Sequence, residues 1–88
     1  MQIRTLSVVI PVYNERATFG ELLRRVEAAR IPLGKEIVLV DDGSTDGSRD
    51  LVRAREGRPG TVVRLHARNR GKGAALRTGF EAATGDLL

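Results

Sequence analysis

The sequence predicts an α/β fold, a three-layer βαβαβα unit on a parallel sheet. Three observations predict it. Short β-branched runs recur three times along the chain. Each is followed by a longer segment whose apolar residues return at helical spacing. Clusters of Gly, Pro and Asp separate the two kinds of segment. Strands alternating with helices in this way form parallel sheets with right-handed crossovers.

The first run, Leu6-Ser7-Val8-Val9-Ile10-Pro11-Val12, reads as a buried strand. Thr18-Phe19-Gly20-Glu21 then matches a capping box, with Thr18 at N-cap and Glu21 at N3. Phe19, Leu22, Leu23 and Val26 place one apolar face on the helix that follows, and Pro32 and Gly34 end it. Glu36-Ile37-Val38-Leu39-Val40 is a second buried strand, stopped by Asp41-Asp42-Gly43. A weaker helix is expected from about Gly47 to Arg55, with Leu51 and Val52 facing inward. Gly57, Pro59 and Gly60 form a turn, and Thr61-Val62-Val63-Arg64-Leu65 is a third strand. Residues 72–84 form a third helix with Leu76, Gly79, Phe80 and Ala83 on one face. Gly85-Asp86-Leu87-Leu88 reads as the approach to a fourth strand.

With 88 residues the chain is expected to hold a single domain, residues 1–88. A domain of this size buries only about 60–65% of its unfolded surface. Its 41% hydrophobic and 30% charged residues are a globular composition. There is no cysteine and a single histidine, His66, which excludes disulfides and thiolate or histidine-cluster metal sites. No run approaches the ~20 apolar residues of a membrane span, and Leu6 to Val12 is too short for a signal peptide, so a cytoplasmic protein is expected. The net charge of +4 is uneven: residues 1–48 carry six basic and seven acidic side chains, residues 49–88 nine and four. The basic half suits an anionic partner, or is simply a solvated Arg-rich surface.

In parallel sheets ligands bind beyond the carboxyl ends of the strands. The loops to inspect are therefore 11–17, 41–47 and 66–73, and each carries a motif. In Pro11-Val12-Tyr13-Asn14-Glu15, a tyrosine past a strand end can offer its ring to a nucleobase, or can pack into the core. The carboxylate of Glu15 can accept from base or ribose, or favour a helix N-terminus. In Val40-Asp41-Asp42-Gly43-Ser44-Thr45-Asp46-Gly47, Asp42 is the candidate to accept an N–H from uracil or guanine. Ser44 and Asp46 read as structural, with Thr45 or Asp46 as helix cap and Gly43 at positive φ. The same run matches the first positions of a calcium loop, but Arg53 stands where a bidentate Glu is required. In Asn69-Arg70-Gly71-Lys72-Gly73-Ala74-Ala75-Leu76, glycines at a helix start let the backbone approach an anion, with Lys72 or Arg70 beside it. Close helix packing is the structural alternative. The run is neither a Walker loop nor a dinucleotide fingerprint, since no Ser or Thr follows Lys72 and Leu76 replaces the third glycine.

In order and spacing, these three motifs resemble the family-2 glycosyltransferases, and most of all the polyprenyl-phosphate sugar synthases, such as dolichyl-phosphate mannose or glucose synthases. The likeness runs from about Leu6 to Leu88. It implies the front half of a GT-A (Rossmann-like) nucleotide-binding domain, truncated at the start of the fourth strand. By that likeness Pro11, Tyr13, Glu15, Val40 and Asp42 line the nucleoside pocket, and Lys72 lies toward the diphosphate or sugar. The implied reaction is inverting transfer of a hexose from a UDP- or GDP-sugar, with a polyprenyl phosphate at the cytoplasmic membrane face as the implied acceptor. The implied cofactor is magnesium or manganese, held by an Asp-x-Asp at the end of the fourth strand. That motif and the family's catalytic base fall beyond Leu88, so this chain alone is expected to carry no catalytic residue, to bind no metal and to be inactive. Loss of the fourth strand would leave Leu6 to Val12 as an open edge, and self-association through it is expected. A different class, a small basic nucleic-acid-binding or non-catalytic interaction module, is the alternative. Only three aromatics are present, and the Asp41-Asp42 loop repels phosphate, so nucleic acid is not favoured.

Overall fold

A computed structural model describes residues 4–30 and 34–85. The elements follow the expected order: β1 (Thr5–Val12), α1 (Arg16–Ala28), β2 (Gly34–Asp42), α2 (Ser48–Arg53), β3 (Thr61–His66) and α3 (Lys72–Ala82). The strands form one parallel sheet in the order β1-β2-β3.

Period-two alternation explains the three layers. Val8, Ile10 and Val12 of β1, Ile37 and Leu39 of β2, and Val63 and Leu65 of β3 pack with Phe19, Leu23 and Val26 of α1 and Val52 of α2. Val9, Val38, Val40 and Val62 pack on the opposite face against Ala75 and Ala82 of α3 and Ala83 just beyond it. β2 lies between the other strands and is buried without a break from Ile37 to Asp42, as a doubly covered parallel strand must be.

Several boundaries differ from the sequence reading. β2 begins at Gly34 and ends at Asp42, so the aspartates belong to the strand. They do so because Asp41 pairs with Val12 and Leu65, and Asp42 with His66. α1 starts at Arg16 behind Glu15, and the Thr18 capping box does not form. Thr18 Oγ1 instead donates to Glu15 Oε2 at 3.3 Å. α1 ends at Ala28, where Lys35 Nζ donates to the Val26 and Glu27 carbonyls, each at 2.8 Å. Pro32, expected to end it, lies outside the described residues. Leu22, Leu51 and Phe80 are exposed rather than inward-facing. The apolar face of α3 is made by small residues, Ala75 and Gly79, because the helix lies too close to the sheet for larger ones.

A Cβ on Gly79 would sit 2.2 Å from Val9 Cγ1. Gly79→Ala is therefore expected to cost about 1–2 kcal/mol, overpacking outweighing the gain in helix propensity. At Gly20, inside α1, a Cβ meets nothing within 4 Å. Gly20→Ala should instead gain about 0.5–1 kcal/mol. Urea midpoints of the two variants, moving in opposite directions from the parent, check this.

A polar latch ties the chain after α3 to the sheet. Glu36 Oε1 accepts from Ser7 Oγ and from the Thr84 amide, both at 2.8 Å. Glu36 Oε2 accepts from Thr84 Oγ1 at 2.6 Å, and the Gly85 amide donates to Ser7 Oγ at 2.9 Å. Thr84 is thus tied to β2 and Gly85 to β1, which among the described residues pairs only with β2. The expected fourth strand falls on residues 86–88, outside the described residues. Among the described residues no helix is long and apolar enough to cross a membrane.

Candidate nucleotide site

The carboxyl ends of the three strands carry three loops, and side chains stitch them together. Asn14, at φ 49°, accepts from the Thr45 amide through Oδ1 at 2.8 Å, and its own amide donates to Ser44 Oγ at 3.0 Å. The Glu15 amide donates to Ser48 Oγ at 2.8 Å. Asp46 joins the starts of two helices: Oδ1 accepts from the Ser48 amide at 2.9 Å and Oδ2 from the Arg16 amide at 3.2 Å. Ser44 and Asp46 are therefore structural, as the sequence suggests.

Strand parity puts Pro11, Asp42 and His66 on the α3 face. There a cleft of about 320 Å³ is lined by Pro11, Val12, Tyr13, Glu15, Asp42, Asn69, Lys72 and Ala75. Its size falls at the low end of small-molecule sites. Five of the six expected residues meet here. Tyr13 is 45% exposed, so its ring is not core. Val40 is the exception: it is fully buried, packed with Val38 and Ala75 beneath the cleft wall. It lies two residues before the carboxyl end of β2, the central strand that both helix layers cover, and does not reach the cleft lining.

Asp42 is the centre of the arrangement and is only 2% exposed. Its Oδ1 accepts from His66 Nδ1 at 2.8 Å and from the Arg70 amide at 2.9 Å; its Oδ2 accepts from the Gly71 amide at 3.1 Å. The anion that the glycine-rich start of α3 meets is thus Asp42 itself. The neighbouring Asp41 points to the opposite face, fully buried, with Oδ2 accepting from the Ser44 amide at 3.1 Å. Arg49 Nη1 lies 3.9 Å from that oxygen and donates to the His66 carbonyl at 2.9 Å.

Burial pushes the Asp42 carboxyl up, but hydrogen bonds from His66 and the Arg70 and Gly71 amides, with attraction to His66, bring it below its ordinary value. Burial likewise raises Glu36, and bonds from Thr84, Ser7 and Gly85 outweigh it. A carboxylate depressed in the folded state stabilises the fold above its unfolded pKa, near 4, and this contribution is lost as pH falls through the lower folded value. Thermal unfolding is therefore expected to show falling stability as pH drops below about 4. A midpoint unchanged between pH 5 and pH 2.5 would contradict it.

Sequence reasoning missed four residues of this region: Val12, Asn69 and Ala75 on the wall, and His66 behind Asp42. For His66 the chain offered only its place at the end of the third run; its register with Asp42 comes from the sheet. Among the described residues no group of three or more His, Asp or Glu side chains could hold a metal ion.

The fold is that of the GT-A glycosyltransferases. A mannosyltransferase from Pyrobaculum calidifontis, solved in complex with GDP-Man and Mn2+, superposes with a TM-score of 0.81 at 33% identity, over 98% of this chain and 26% of that one. The chain belongs to glycosyl transferase family 2, whose family model matches residues 7–88. It is 54% identical over 87 residues to an undecaprenyl-phosphate 4-deoxy-4-formamido-L-arabinose transferase of Pseudomonas aeruginosa strain LESB58, covering 94% of this chain. The transferase of the same description from Klebsiella pneumoniae is 49% identical over 90 residues. The chain spans 26% and 28% of the length of these two relatives.

Proposed function

We propose that this chain forms the nucleotide-recognition part of an inverting glycosyltransferase that draws on a nucleoside diphosphate sugar and passes the glycosyl group to a polyprenyl phosphate. The observation that carries the donor reading is the cleft, where Tyr13, Glu15, Asp42 and Lys72 converge at the carboxyl edge of the sheet. The exposed Tyr13 ring offers a stacking face. Asp42 supplies a buried, ionised acceptor for a base N–H. Lys72, at the first turn of α3, lies on the diphosphate side, with Pro11 as apolar wall and Val40 as packing beneath.

The bound GDP-Man of the Pyrobaculum enzyme supports a nucleotide-sugar donor, and its Mn2+ supports a divalent cation, magnesium or manganese, in the complete enzyme. The names of the relatives, which carry undecaprenyl phosphate, support a lipid-phosphate acceptor. They also name an arabinose derivative, a pentose, whereas the structural neighbour carries mannose, so the reading widens from a hexose to a glycosyl group. By the family resemblance the metal-holding motif and the catalytic base lie outside the three loops that build this cleft, so in our reading the cleft alone transfers nothing.

Tyr13 is the only tyrosine and the chain has no tryptophan, so its fluorescence reports on the cleft. Titration with UDP and with GDP should give saturable quenching for at least one of them. A flat response to both would overturn the nucleotide reading, and turnover of UDP- or GDP-sugars by the chain would overturn the claim of inactivity. Self-association through Leu6 to Val12 stays a proposal; among the described residues β1 pairs in the sheet only with β2. Sedimentation showing only monomer at high concentration would count against that.

A further inference from the structure

His66 is buried and belongs to none of the recognition roles above, yet both of its ring nitrogens are engaged. Nδ1 lies 2.8 Å from Asp42 Oδ1, and Nε2 lies 2.8 Å from Thr78 Oγ1 on α3. Its backbone is held by Arg49, which donates to the His66 carbonyl. Asp42 is ionised and can only accept, so the proton of this contact sits on Nδ1.

Each carboxylate oxygen has two lone-pair directions. Oδ1 of Asp42 already takes two donors, His66 Nδ1–H and the Arg70 amide. Oδ2 takes one, the Gly71 amide, and keeps one direction open. The Arg70 and Gly71 amides come from one loop and move together, whereas His66 belongs to the sheet and is braced by Thr78 from the helix. The imidazole is thus the anchor that fixes the rotation of the carboxylate relative to the sheet.

We infer that His66 is a positioning residue for nucleobase recognition. It holds Asp42 Oδ1, leaving Oδ2 as the single acceptor presented to a base N–H, while Thr78 fixes the ring. This rests on the nucleotide reading of the cleft.

His66 is the only histidine, so a 15N-labelled sample of the full chain gives one set of imidazole signals. The expected spectrum of the ligand-free protein shows a proton on Nδ1; a bare Nδ1 overturns the inference. Calorimetry with UDP and GDP then compares the parent with His66→Leu and His66→Asn. Losing one charge-assisted hydrogen bond that orients the acceptor should weaken nucleotide binding about tenfold in His66→Leu. In His66→Asn the side-chain N–H falls near the position of Nδ1, and binding should recover to within about threefold of the parent. Equal weakening in both folded variants assigns His66 a merely structural role and overturns the inference, as does unchanged binding in His66→Leu. If those variants fail to fold, Thr78→Val, which removes only the brace, should still weaken binding about threefold and shift the Nε2 signal. Unchanged affinity there is then the overturning result. A parent that binds neither nucleotide but shows the Nδ1 proton overturns the nucleotide reading, and the positioning role with it, while leaving the Asp42–His66 contact intact.

Discussion

Gly43→Ala should abolish nucleotide binding and cost the fold about 2–4 kcal/mol. Gly43 follows β2 at φ +77°, and a Cβ there would lie 2.3 Å from both Arg68 C and Asn69 N. The left-handed backbone alone costs an alanine about 1–2 kcal/mol. The clash adds more, because it falls on main chain and no side-chain rotation relieves it. The 67–71 loop must retreat, and it carries the Arg70 and Gly71 amides away from Asp42. Gly57 provides the control: its φ is +87° but a Cβ meets nothing within 4 Å, so Gly57→Ala should show the backbone strain alone. Urea unfolding and UDP and GDP titration of the two variants decide the matter. If Gly43→Ala behaves as Gly57→Ala in both measurements, the close approach of the two loops is not what shapes the cleft.

The second large effect is expected from Asp42→Asn. The amide keeps the shape of the carboxylate, and its oxygen will follow the two donors at the Oδ1 position. The NH2 group then faces the Gly71 amide and the cleft, donor against donor. Nucleotide affinity should fall on the order of 30- to 100-fold, and stability by about 1–3 kcal/mol at pH 7. The pH dependence separates this from a packing defect. In the parent, the stabilisation from the depressed Asp42 is present above its unfolded pKa and fades as pH falls through the folded value. The stability gap between parent and Asp42→Asn should therefore narrow near pH 3. A gap of constant size down to that pH would show that ionisation of Asp42 contributes nothing to the fold.

Most of the fold was legible in the chain because its signals are local. The runs at Val8 to Val12, Ile37 to Val40 and Thr61 to Leu65 are β-branched, and nothing in their neighbourhoods competes with a strand. Gly43 announced a positive φ, and Ser44 and Asp46 announced loop and helix-start bonding. What failed was equally local in appearance but not in cause. Thr18 and Glu21 fit a capping box, yet α1 starts at Arg16 because Asp46 and Ser48, some thirty residues on, bind the Arg16 and Glu15 amides. Leu22, Leu51 and Phe80 have apolar spacing but lie outside the stripe that the sheet covers.

By itself the sequence determined the order of elements, the parallel sheet and the edge at which polar residues gather, since these follow from periodicity and turn chemistry within a few residues. Only the tertiary structure decided how Asp42 is used. Its partners His66, Arg70 and Gly71 are 24 to 29 positions away. Burial makes an unsatisfied carboxylate costly, so the fold brings those donors to it from another strand and the start of another helix. The same geometry buries Val40 beneath the cleft and leaves Tyr13 open to it, a distinction that neither residue carries in its own stretch of chain.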